Sequence, residues 1–160
     1  MIMQRWKRRQ KRRLTRPQKW VIVLASLVLT LGLANLTRMA LALHYAVTLP
    51  RLPMTVSWAY LAATGGVWGI VLGICAVELL RFRPWGRGAT LVTATLYQVH
   101  AWVNHLLLDA SDYARQTRPR DLVLTALFLA GVWGLLNWPA VRKVFESEGN
   151  DERTDAAIPE

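Results

Sequence analysis

The residues best suited to chemistry sit where apolar residues dominate: the three histidines His44, His100 and His105, together with Asn35, Arg38, Gln98 and Asn104. A neutral imidazole ligates metal, and His44 and His105 fall at similar depth near the same ends of two apolar segments. They are therefore the candidate pair for a haem or chlorin held between helices. His100 and His105 lie about 140° apart on a helix and do not share a ligand plane. No haem attachment sequence accompanies them. A second grouping, His105, Asp109 and Asp112, has the i, i+4, i+7 spacing of one helix face and could hold a divalent metal. The alternative is that Asp109 and Asp112 solvate a helix end and pair with Arg115. No Gly-x-Ser-x-Gly elbow, phosphate-binding glycine loop, paired cysteines or His-Glu-x-x-His is present, so the sequence offers no catalytic centre and requires no cofactor.

Most of these polar groups belong to one stretch. Projected at about 100° per residue, Thr90, Thr93, Tyr97, Gln98, His100, Asn104 and His105 occupy one half of a helix, and Val92, Leu96, Val99, Val103 and Leu106 the other. Polar side chains at membrane depth are costly unless paired, so this face should turn inward and form an interhelical hydrogen-bond network. Its expected partners are Asn35 and Arg38 on the first segment, Arg38 being near enough the interface to snorkel. Glu78 is the one acid inside an apolar segment. It would matter to a small dimeric transporter, but its place three residues before Arg81 favours an ion pair at the interface.

The elements that must position these groups are membrane helices. Hydrophobic residues make up 53% of the 160, with eight Trp, while basic and acidic ends hold the mean hydropathy at +0.21. A crossing needs about 20 apolar residues. Four segments satisfy this, at about 20–43, 56–80, 89–108 and 122–138, giving an all-α membrane domain over 20–145, an antiparallel four-helix bundle. Pro50 and Pro53, then Pro84, Gly86 and Gly88, then Pro119 mark the expected connections, and Pro139 closes the last span. Trp20, Trp85 and Trp138 form one interfacial aromatic belt, and Tyr45, Trp58, Tyr60 and Tyr113 the other.

Basic residues set the orientation. The head, residues 1–19, carries nine Lys and Arg. Arg81, Arg83, Arg87, Arg142 and Lys143 fall on the same face, against Arg51, Arg115, Arg118 and Arg120 on the other. Both termini are expected in the cytoplasm, with the chain multi-pass in the cytoplasmic (inner) membrane. Ala40-Leu41-Ala42 has the form of a signal-peptidase site, but Asn35 and Arg38 interrupt the apolar run before it. Arg5, Lys7, Arg8, Arg9, Lys11, Arg12 and Arg13 suit anionic lipid head groups, and no specific nucleic acid is needed to explain them. The acidic segment 146–160 has no apolar periodicity and is expected to be disordered.

Gly65, Gly69 and Gly73, at intervals of four, should let another helix approach the second span closely, either within the chain or in a partner. Gly66-Val67-Trp68-Gly69 recurs as Gly131-Val132-Trp133-Gly134, a hint of two tandem hairpins. Lone Cys75 reads as a small core residue. The basic start, Arg83-Pro84-Trp85 and Pro139-Ala140-Val141-Arg142 resemble small uncharacterised bacterial four-span integral membrane proteins; the resemblance covers most of the chain and implies a fold but no activity. The expected role is that of a non-enzymatic accessory or assembly component of a membrane complex, with other membrane helices as partners. The alternatives are a haem- or pigment-binding electron-transfer subunit and the small transporter.

Overall fold

The computed structural model describes residues 15–49, 56–107 and 112–146. The basic residues Arg5 to Arg13 and the segment 147–160 lie outside these residues. Every element among them is helical: α1 Arg16–Thr48, α2 Trp58–Leu80, α3 Pro84–Leu107, α4 Asp112–Asn137, and a short α5 over 139–146. By length and composition, α1, α2 and the 116–137 part of α4 are apolar enough to cross a membrane. Helix α3 has the length but is diluted by its polar face.

Helix starts follow local chemistry. Thr15 opens α1 with a capping box, its backbone N–H donating to Gln18 Oε1 at 2.9 Å, and Pro17 sits in the first turn, where a missing N–H costs nothing. Ser57 Oγ accepts the Tyr60 N–H at 3.2 Å and caps α2.

The turn between α2 and α3 differs from the sequence expectation. Gly86 and Gly88 belong to α3, and the reversal is made by Phe82, whose φ of 54° puts it in the left-handed region. The Phe82 N–H donates to the Leu79 carbonyl at 3.0 Å and the Arg83 N–H to the Glu78 carbonyl at 3.3 Å, the two bonds of a Schellman ending. Gly86 is needed for approach rather than for bending. A Cβ there would lie 2.8 Å from the Glu78 carbonyl carbon. Pro119 likewise falls inside α4, which runs through it with one backbone bond missing, instead of in a connection. Nor does Pro139 end the helical structure: the chain breaks at Trp138, whose carbonyl accepts the Val141 and Arg142 N–H groups at 2.9 and 3.0 Å, and resumes as α5.

The core gathers Val21, Leu24 and Val28 of α1, Leu72, Cys75 and Leu79 of α2, Leu91 and Ala94 of α3, Val132 and Leu136 of α4, and Val141 and Phe145 of α5. Cys75 is buried, with its thiol 3.4 Å from Thr93 Oγ1. Helices α1 and α2 make the closest contact. Cβ atoms added at Gly65 and Gly66 would lie 2.8 Å from the Asn35 carbonyl oxygen and 2.9 Å from Met39 Sδ, and one at Gly69 would lie 2.6 Å from Leu36. Gly73 is not part of this contact in the expected way: its own Cβ position meets open space, and it is Gly32 of α1 that approaches the Gly73 backbone. The two Gly-Val-Trp-Gly segments have unlike surroundings, since Gly66 and Gly69 are buried whereas Gly131 and Gly134 face open space.

Candidate functional site

Much of the polar face of α3 turns toward α1 and α2, where Tyr97, His100 and Asn104 find partners. Asn35 is buried on α1; its Nδ2 donates to the Leu31 carbonyl at 2.9 Å and lies 3.4 Å from Tyr97 Oη. Asn104 lies at the centre. Its Oδ1 accepts the Tyr60 hydroxyl of α2 at 2.5 Å, and its Nδ2 lies 2.9 Å from His100 Nε2. With Oδ1 engaged by a hydroxyl donor, Nδ2 is left facing the His100 ring nitrogen, to which it donates when that nitrogen carries the lone pair. Trp68 closes the cluster, its ring edge-on to Tyr97 at 5.2 Å and 5.5 Å from His100.

Four of the expected residues thus meet in two linked hydrogen-bonded groups or at their rim. Asn35, His100 and Asn104 are hydrogen-bonded, and Arg38 opens onto a cleft of about 290 Å³ that Tyr60, Asn104 and His105 also line. Gln98 points elsewhere, into a cleft of about 190 Å³ with Trp102, His105, Asp121 and Thr125, beside the 3.1 Å bond from Trp102 Nε1 to Thr125 Oγ1.

The two histidines of the expected cofactor pair have different ring neighbours. His44 is exposed, with its ring 5.7 Å from that of Tyr45, while His105 lies edge-on to Trp102 at 5.7 Å and lines the clefts of about 190 and 290 Å³ without His44. Asp109 and the side chain of Asp112 fall outside the described residues, among which no group of three His, Cys, Asp or Glu gathers to hold a metal. Glu78 bonds Arg81 at 3.2 Å and Arg83 at 3.4 Å, the ion pair its spacing predicts with Arg83 added.

Two contributors escaped the sequence reading. The sequence places Tyr60 in an interfacial belt, yet its hydroxyl supplies the donor for Asn104. Trp68 stood out only as part of a repeat. Burial of a hydroxyl or indole beside a polar stripe is the signal that would have singled them out, and it exists only once α2 is docked. Replacing Tyr60 by Phe removes one hydrogen bond and keeps the ring. It is expected to lower unfolding free energy in detergent by about 1 kcal/mol, and Asn104→Leu, which removes two, by about twice that. Thermal unfolding followed by circular dichroism checks both, and equal, near-zero effects would show that the cluster does not hold the helices together.

Compared with known proteins, the chain matches no family model, no curated protein and no solved structure.

Proposed function

We propose that the chain is a four-span protein of the cytoplasmic (inner) membrane, with both termini in the cytoplasm, acting without catalysis as an accessory or assembly component of a membrane complex. The contact order supports an antiparallel bundle. Gly32 meets Gly73 while Met39 meets Gly65; Tyr60 meets Asn104 while Glu78 meets Gly86; Trp102 meets Thr125 while Arg87 Nη2 donates to Asn137 Oδ1 at 2.9 Å. Helix α3 then crosses as an amphipathic span, its polar half against α1 and α2 and Val92, Leu96, Val99 and Val103 exposed on the other side.

The observation that carries the assembly role is the poor cover on α4. Of its most apolar stretch 11% is buried, against 33% for α1 and 39% for α2. Lipid chains alone would be met equally well by larger side chains. Gly131 and Gly134 instead leave open space beside the backbone, the form of surface that admits another helix. Asn35, Tyr97, Tyr60, Asn104 and His100 meanwhile bond within the bundle, which leaves the apolar exterior of α4 as the surface for a partner helix.

Native mass spectrometry of the full chain, extracted from its own membranes in mild detergent, tests this. The expected result is a complex with a second polypeptide that disappears in Gly131→Leu/Gly134→Leu while the chain stays folded. A bare chain from the native source would overturn the reading, and a retained small molecule in place of a polypeptide would replace it with a cofactor-binding role.

A further inference from the structure

The cleft beside Arg38 has a composition that the packing of the helices does not explain. Arg38 is exposed and faces no carboxylate among the described residues, whereas Arg81 and Arg83 share Glu78, Arg120 meets Asp121 and Arg142 meets Glu146. The described walls around it are Tyr60, Ala101, Asn104 and His105 with Val56 and Leu61, none of them acidic, and the Tyr60 hydroxyl already donates to Asn104. Asn104 has two N–H bonds on Nδ2, and the His100 contact uses one. A permanently charged guanidinium with a neutral amide donor beside it and no counter-charge among the described residues is a receiver for an anion.

Depth selects the anion. Arg38 lies about 27 Å along α1 from Trp20, close to the roughly 30 Å of a hydrocarbon core. With Trp20 at the cytoplasmic interface, Arg38 reaches the phosphate level of the opposite leaflet, and α1 continues past it to Thr48. We propose that this cleft is a phosphate site, in which the Arg38 guanidinium and the Asn104 amide receive the phosphate of an anionic lipid head group in the leaflet facing away from the cytoplasm. The assignment rests on the membrane reading above but not on the assembly role. The fork of Arg38 can take two phosphate oxygens at once, and the volume of about 290 Å³ accommodates a head group while leaving the acyl chains to the exposed apolar side of α1.

The full chain, reconstituted in vesicles of phosphatidylcholine with a minor fraction of photoactivatable phosphatidylglycerol, gives the test. The expected result is label on peptides containing Arg38 or residues 98–105, as well as on the basic head. Arg38→Gln should reduce the former roughly tenfold or more, the effect of losing a charge-assisted bond, and leave the head label unchanged. Arg38→Lys, which keeps charge but not the fork, should fall between. Competition on the wild-type chain identifies the source of the phosphate: unlabelled phosphatidylglycerol should displace the label, whereas displacement by millimolar inorganic phosphate alone would assign the site to a free anion and overturn the lipid part. Wild-type label confined to the head would overturn the site altogether, without recourse to any variant. A chain that fails to enter the vesicles would instead refute the membrane reading.

Discussion

Gly65→Leu is expected to separate α1 from α2 and to cost about 3 kcal/mol or more of stability in detergent. A Cβ at Gly65 would lie 2.8 Å from the Asn35 carbonyl oxygen and 3.0 Å from the Met39 nitrogen, both backbone atoms of the facing helix. A side-chain obstacle can swing away; these atoms move only if the helix moves. Asn35 moves with it, so the 3.4 Å contact to Tyr97 is lost in the same step and the damage reaches the polar cluster. Gly65→Ala should retain part of the effect, its steric cost offset by about 1 kcal/mol of better helix propensity. Gly73→Ala and Gly131→Ala meet open space and should be neutral or stabilising by up to that amount. Unfolding in graded denaturing detergent, followed by tryptophan fluorescence, distinguishes the four variants. Equal effects at Gly65 and Gly73 would refute the close approach.

That contrast also shows what the sequence can and cannot display. A stripe of glycines at intervals of four announces a close helix contact, because few other arrangements use such residues inside a membrane span. It does not announce the face: Gly65 and Gly69 pack as the spacing implies, Gly66 joins them, and Gly73 yields its place to Gly32, a lone glycine with no pattern around it. The inward turn of α3 was legible for a similar reason, since polar residues gathered on one half of an apolar helix have only one inexpensive direction to face. Its partners were less so. Tyrosine is ambiguous between belt and core, and Tyr60 resolves only when Asn104 is beside it. The turn at Phe82 was hidden because Pro84, Gly86 and Gly88 supply stronger breaker signals than a phenylalanine, whose left-handed backbone conformation costs about 1–2 kcal/mol.

The ring that Phe82 carries faces α5. Phe82 sets its ring 6.3 Å from that of Phe145, and Phe145 is 1% exposed, among the largest fully buried side chains of the described residues. A stretch of eight residues, 139–146, is too short to stand as a helix on its own. What holds it is the burial of Val141 and Phe145, one turn apart, in the same core as Leu79 and Leu136. Phe145→Ala is therefore expected to cost about 3–5 kcal/mol, the range for emptying a buried aromatic site, and to release α5 from the bundle. The matching truncation of an exposed side chain, Leu106→Ala, should cost little, because Leu106 is 56% exposed and leaves no enclosed cavity. Amide hydrogen exchange across 139–146 provides the direct readout. Protection there should collapse in Phe145→Ala while α1 and α2 keep theirs; unchanged protection would mean that α5 is held by something other than its buried ring. Phe82→Gly sharpens the test, since it relieves the backbone strain and removes the facing ring together. If the ring contact outweighs the strain, the glycine variant loses stability and exposes α5; if the strain dominates, it gains.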